Sequence, residues 1–299
     1  MPPVLYNSVT PAATAKSSGL VGFGEFGVTW LGHATAVAEM GRSRVLFDPL
    51  LPWRARAGGA VDAVLITHSH VDHLNRWSLR AVPREAHLVV PRGCKGVVAD
   101  LGFAKVTEMT AGDQLAIGDL EVHAVPTRHD NGRWNKRELP ECVGYVVRSQ
   151  SVTVHHAGDV DFSDHRVFDD IGKQFAIDAT LLPIGGMMPV WYYRARRAKL
   201  DRGIHIDPDC ALDIYERLGA RALVPVHWGT LHLPFGLPSM PGRRLAKIAL
   251  AKGASGVHIL AHGERMNLAR GALAGSSIGA EIAPKAADQD RRLANHEGE

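Results

Sequence analysis

Residues 63–73 read Ala-Val-Leu-Ile-Thr-His-Ser-His-Val-Asp-His, an apolar run that ends in four potential metal ligands within six residues. Ala63–Ile66 is short, apolar and β-branched in part, as a buried strand is. His68 and His70 are two apart, so in an extended segment they point the same way. Asp72 and His73 sit where the chain turns toward a helix and can face a second ion. Neutral imidazole with carboxylate suits Zn²⁺ and similar first-row metals. An ordinary surface loop accounts for any one of these histidines, but poorly for the whole string.

The rest of the chain is built in the same manner. Strands are expected at Val28–Leu31, Ala36–Met40, Val45–Phe47, Ala63–Ile66, His87–Val90, Gln114–Ile117 and Leu120–Val125. The second half adds Val143–Val147, Ser151–His156, Ala179–Pro183, Ala222–Val226 and Val257–Leu260. Gly, Pro and Asp separate these runs, as turn chemistry requires. Helical patches lie near Arg76–Ala81, Gly93–Leu101 and Arg243–Lys252. One helix is fully punctuated: Asp207 caps it, Pro208 takes its first position, and Gly219 ends it. Ala211, Ile214, Tyr215 and Leu218 then form its apolar stripe. Strands interleaved with helices predict a sheet-rich α/β architecture with helices covering the sheets. Residues 1–20 are expected to form an N-terminal arm, 21–270 one domain, and 271–299 a loosely ordered tail.

Composition narrows the classes. The chain carries 16 histidines and 3 cysteines, and soluble proteins more usually carry roughly half that histidine load. Cys94, Cys142 and Cys210 lack C-x-x-C spacing, which excludes a disulfide framework or cysteine-rich zinc finger and points to a reducing compartment. A net charge of +3 is too small to imply nucleic-acid binding. No apolar run reaches the roughly 18 residues of a transmembrane helix, and the first residues lack a basic start and an apolar block. The expectation is a cytoplasmic protein.

The His-x-His-x-Asp-His string resembles the signature of the metallo-β-lactamase superfamily. That resemblance implies an αββα sandwich, with two mixed β-sheets flanked by helices and a dinuclear metal site at one edge. It also implies further ligands after later strands. His129 follows Leu120–Val125, Asp159 follows Ser151–His156, and His227 follows Ala222–Val226. By the resemblance, His68, His70 and His129 hold one metal, Asp72, His73 and His227 hold the other, and Asp159 bridges them. Two Zn²⁺ (or Mn²⁺ or Fe²⁺, which the same donors accept) about 3.5–4 Å apart lower the pKa of a shared water toward 7. Hydrolysis then needs no Ser, Cys or Lys nucleophile. Iron-dependent redox variants of the fold usually carry Glu where this string has Ser69 or Val71.

Trp30–Thr35, Phe47-Asp48-Pro49, Pro183-Ile184-Gly185, His205–Pro208, Val226–Thr230 and His262-Gly263-Glu264 together resemble the N-acyl-phosphatidylethanolamine phospholipase D group. More loosely, they resemble ascorbate-6-phosphate lactonase-like relatives. The likeness implies a phosphodiesterase and places His205 near the metals with the substrate's phosphate, so Asp72, Asp159 and His205 are the expected catalytic groups. His33 is expected to support the site or touch substrate. The aromatic stretch 187–193, with Trp191 and Tyr192, followed by Arg194, Arg196, Arg197 and Lys199, is a candidate lid for an acyl chain or an anionic membrane surface. A solvated charged face is the plainer reading. Two alternatives stay open: a lactonase or sugar-phosphate hydrolase with a small soluble substrate, and a non-catalytic metal- or lipid-binding module. The sequence says nothing of oligomeric state.

Overall fold

The computed structural model describes residues 26–129, 141–161, 165–186, 205–231 and 238–268. Two sheets face one another. The first contains β1 (Phe26–Gly32), β2 (Thr35–Met40), β3 (Ser43–Phe47), β4 (Ala63–Leu65), β5 (His87–Pro91), β6 (Lys105–Met109) and β13 (Arg265–Leu268). Its order is β13-β1-β2-β3-β4-β5-β6. The second contains β7 (Gln114–Ile117), β8 (Leu120–Pro126), β9 (Val143–Arg148), β10 (Thr153–His156), β11 (Ala179–Pro183) and β12 (Ala222–Val226), in the order β12-β11-β10-β9-β8-β7. Both are mixed: β3, β4, β5 and β6 run parallel, as do β10, β11 and β12.

Side-chain alternation sorts the residues into three apolar layers. Phe26, Val28 and Trp30 of β1, Ala63 and Leu65 of β4, Tyr145 of β9 and Val224 of β12 meet between the sheets. The residues between them point outward: Val37, Leu46, Val64 and Leu88 pack on the helices over the first sheet, and Val146, Leu182 and Leu223 on those over the second. The first cover comprises α1 (Pro52–Ala57), α2 (Arg76–Leu79), α3 (Lys95–Val98) and a 3₁₀ turn at Ala99–Leu101. The second comprises α4 (Arg166–Gln174), α5 (Pro208–Leu218) and α6 (Met240–Lys252). This is the expected αββα sandwich.

Helix α5 has the boundaries its punctuation predicts. The Asp207 side chain accepts from the Cys210 N–H at 3.0 Å, and Gly219 closes the helix at φ 58°. The expectation of a strand at Val257–Leu260 is corrected: Val257 makes one parallel bridge to Leu223, and the chain then leaves the sheet toward Trp30, with Gly263 N–H donating to the Trp30 carbonyl. The cysteines are free, and Cys94 is buried. The proposed arm at 1–20 and tail at 271–299, with Trp191, Tyr192 and the rest of the 187–199 stretch, lie outside the described residues.

Candidate metal centre

Strand ends deliver the polar side chains to one edge of the sandwich, where open α/β sheets commonly place their sites. The loop after β4 carries His68, His70, Asp72 and His73, and the chain beyond β8, β10 and β12 brings His129, Asp159 and His227. The β1–β2 turn supplies His33, and His205 arrives just before α5. The structure therefore brings together every sequence-expected site residue that it describes.

They fall into two groups joined by one carboxylate. In the first, His70 Nδ1 lies 3.0 Å from His68 Nε2 and 3.2 Å from His129 Nε2. Asp159 Oδ2 is 3.6 Å from both His68 Nε2 and His129 Nε2. In the second, Asp72 Oδ2 lies 3.0 Å from His33 Nε2 and 3.6 Å from His227 Nε2. Asp159 Oδ1 is 3.4 Å from His73 Nε2 and 3.2 Å from His227 Nε2. Asp159 thus turns one oxygen to each group. His205 Nδ1 sits 3.4 Å from Asp159 Oδ2, and its ring packs against His129 and His227 with centroids 5.2 and 4.8 Å away.

The donors fit a pair of cations. Asp159 is 1% exposed, yet neither of its oxygens accepts a hydrogen bond of good geometry, and His73 Nε2 and His227 Nε2 are likewise unsatisfied. Buried polar atoms are seldom left so. Each group also brings four potential ligand atoms within 4.8 Å of one another. Imidazole nitrogens and carboxylate oxygens that converge with so few hydrogen bonds are satisfied by a positive ion.

Electrostatics point the same way. Burial pushes His68 well below its ordinary value, and pushes His129 and His33 to about 4. Burial also opposes charge on His227, but the Asp159 carboxylate outweighs it and raises the imidazole to about 9. His73 is raised against burial by Asp159 and Asp48. Asp159 itself is held low, against its own burial, by His227, His73 and His205. Without metal, protons on His73 and His227 offset the two carboxylates; metal ions must displace them.

Asp48 is a positioning residue to which the sequence, although Phe47-Asp48-Pro49 is one of the segments of the resemblance, assigns no role. It is fully buried; Oδ1 accepts from the Thr67 N–H at 2.8 Å, and Oδ2 from Thr67 Oγ1 and from His73 Nδ1, each at 2.7 Å. The last bond commits the His73 proton to Nδ1 and aims Nε2 at Asp159, as carboxylates behind metal-binding histidines do. Thr67 Oγ1 lies 3.0 Å from His68 Nδ1 and fixes that ring similarly. The Asp48 partners are 19 and 25 residues away in the chain.

His33 is 3% exposed and stands behind Asp72, which suits support of that carboxylate better than contact with substrate. Its backbone is tied down: His33 N–H donates to Thr230 Oγ1 at 2.6 Å, while its carbonyl accepts from Trp30 Nε1 and from His227 N–H, both at 2.8 Å. His33, Asp48 and His227 have φ of 51°, 40° and 60°. Such left-handed backbone is strained for non-glycine residues and gathers at functional sites.

The architecture and the paired His/Asp groups define a metallo-β-lactamase-type sandwich. Residues 42–228 match the Beta-lactamase superfamily domain, and the chain belongs to that family. A UPF0173 metal-dependent hydrolase of Methanoregula boonei is 32% identical over 209 residues, covering 68% of this chain and 82% of that protein. An uncharacterised protein of Mycobacterium tuberculosis is 30% identical over 241 residues, 71% of this chain; the match spans only 61% of that longer relative. Among solved structures, the diiron β-hydroxylase CmlA of Streptomyces venezuelae superposes with a TM-score of 0.60 at 20% identity, over 82% of this chain and 54% of CmlA. That likeness concerns the fold alone.

Proposed function

We propose that this chain is a metal-dependent hydrolase with a dinuclear His/Asp centre, and within that class a phosphodiesterase of the N-acyl-phosphatidylethanolamine phospholipase D type. The observation that carries the reading is Asp159, buried, with Oδ2 facing His68 and His129 and Oδ1 facing His73 and His227. His68, His70 and His129 would hold one ion, Asp72, His73 and His227 the other, with Asp159 shared. Zn²⁺ is the proposed metal, and the donor set also accepts Mn²⁺ or Fe²⁺. When bound, such a pair supplies Lewis acidity and a nucleophile derived from water at neutral pH.

The protein's part is to position and to discriminate. Asp48 fixes His73, and His33 fixes Asp72. The partly exposed His205, beside Asp159 Oδ2, is placed to contact an anionic oxygen of the substrate from the N-terminal side of α5. The relative named as a metal-dependent hydrolase supports the class. The phosphodiesterase assignment rests on the run of similar segments from Trp30 to Glu264.

A panel of bis-p-nitrophenyl phosphate, N-acyl-phosphatidylethanolamine and a simple lactone, run with the Zn²⁺-loaded protein, tests the reading. Phosphodiester turnover that disappears in His70→Ala and Asp159→Ala supports it. Turnover of the lactone alone shifts the assignment to a lactonase. Turnover of none, with both metals bound, overturns it in favour of a binding module.

A further inference from the structure

Among the described residues, six large apolar side chains are exposed; one of them lies on the short helix α2, and three more lie on segments that contact it. Trp77 stands on α2 at 57% exposure, and Trp53 on α1 at 51%. Their rings meet edge to face with centroids 6.1 Å apart. Val71, at 67% exposure, lies in the loop before α2, where its carbonyl accepts from Asn75 Nδ2 at 3.0 Å. Val97 of α3 is joined to α2 by Arg76, which donates to its carbonyl and pairs with Asp100 at 2.7 Å. The centre does not use these side chains, and the fold does not bury them.

Both tryptophans are followed three residues later by arginine: Trp53-Arg-Ala-Arg56 and Trp77-Ser-Leu-Arg80. Positions i and i+3 share a helix face. Arg56 and Arg80 are exposed, and neither makes a salt bridge among the described residues. Residues 52–101 carry seven Arg or Lys against four Asp or Glu, a surplus equal to that of the whole chain. Indole rings favour the boundary between headgroups and acyl chains, and a guanidinium at that depth meets lipid phosphate.

We propose that this twinned Trp-x-x-Arg face on α1 and α2, with Val71 and Val97, docks the protein on an anionic phospholipid surface. Val71 lies between His70 and Asp72, so docking brings the candidate centre to the bilayer. The inference does not depend on which reaction the centre performs.

Co-sedimentation of the full chain with phosphatidylcholine vesicles, with and without phosphatidylglycerol, tests it. The wild type sediments with the anionic vesicles, is released by added salt, and has its tryptophan fluorescence quenched by brominated acyl chains. Trp53→Ala/Trp77→Ala lowers the partition coefficient at least about tenfold. Arg56→Gln and Arg80→Gln each lower it about fivefold and weaken the salt dependence. Both tryptophans are surface residues, so the double variant keeps the wild-type circular dichroism; the arginine variants serve if it does not. Failure of the wild type to bind anionic vesicles, or equal binding by wild type and the tryptophan variant, overturns the proposal. A wild-type dimer that the tryptophan variant dissociates also overturns it, because a second copy then covers the face.

Discussion

Asp48→Asn is the substitution whose effect can be reasoned most closely. The Thr67 N–H, 2.8 Å from Oδ1, needs an acceptor and keeps the amide oxygen of the new side chain in that position. The amide nitrogen then stands where Oδ2 was, facing Thr67 Oγ1 and His73 Nδ1, each 2.7 Å away. Thr67 can rotate its hydroxyl to accept. His73 can accept only by moving its proton to Nε2, the atom that faces Asp159 and would bind the second ion. Loss of such an orienting carboxylate typically weakens metal binding about 10- to 100-fold, and that range is expected for one ion of the two. Asp48→Ala instead strands three buried donors at about 1–3 kcal/mol each, a large fraction of the roughly 5–15 kcal/mol that holds a domain together; it is expected to unfold the protein. Competition titration of Asp48→Asn with a chromophoric chelator, beside a urea melt, reads both quantities. Two ions bound by Asp48→Asn with wild-type affinity would refute the tautomer argument.

Other outcomes follow from the same structure. His155 is buried, donates to or accepts from Thr180 Oγ1 at 2.9 Å, and is pushed down to about 3 by burial. The unfolded chain, with histidine near about 6.5, takes up the proton first, so this residue removes stability as pH falls from about 6.5 toward 3. The loss reaches roughly 2 kcal/mol by pH 5, and His155→Leu should flatten the acid limb of urea midpoints measured between pH 7 and 5. A Cβ on Gly185 would run into the His227 carbonyl oxygen. Gly185→Ala is therefore expected to cost about 1–3 kcal/mol and to weaken metal retention, read by thermal melts and metal content together; unchanged retention counts against the close packing of the two loops. Chelation should lower the melting temperature and added Zn²⁺ restore it, since a ligand that binds only the folded chain stabilises it.

Strands with an unbroken apolar run were legible in the sequence. β7, β11 and β12 have the predicted bounds, and α5 was announced by Asp207, Pro208 and Gly219. Strands whose apolar residues are split by polar ones were not. β6 reads Lys-Val-Thr-Glu-Met and β13 Arg-Met-Asn-Leu; polar residues interrupt each run, so neither shows a continuous apolar stretch. Helix α4 buries only Phe168 and Ile171, too few for a visible stripe, and α1 is six residues long. The His68–His73 string was legible after its apolar strand, and the family resemblance it carries implied His129, Asp159 and His227 after later strands. The role of Asp48 was not legible, because it is set by Thr67 and His73, which only folding brings to it. The sequence marks His33 as a site histidine, but the burial that places it behind Asp72 belongs to the tertiary structure.

The central claim is that Asp159 joins two metal sites. It is tested most directly by inductively coupled plasma mass spectrometry of protein reconstituted in excess Zn²⁺ and then desalted, for the wild type and Asp159→Ala. Two ions per wild-type chain, with at least one lost in Asp159→Ala while its circular dichroism is unchanged, is the predicted result. A wild type that retains fewer than two, or an Asp159→Ala variant that retains both, would contradict it.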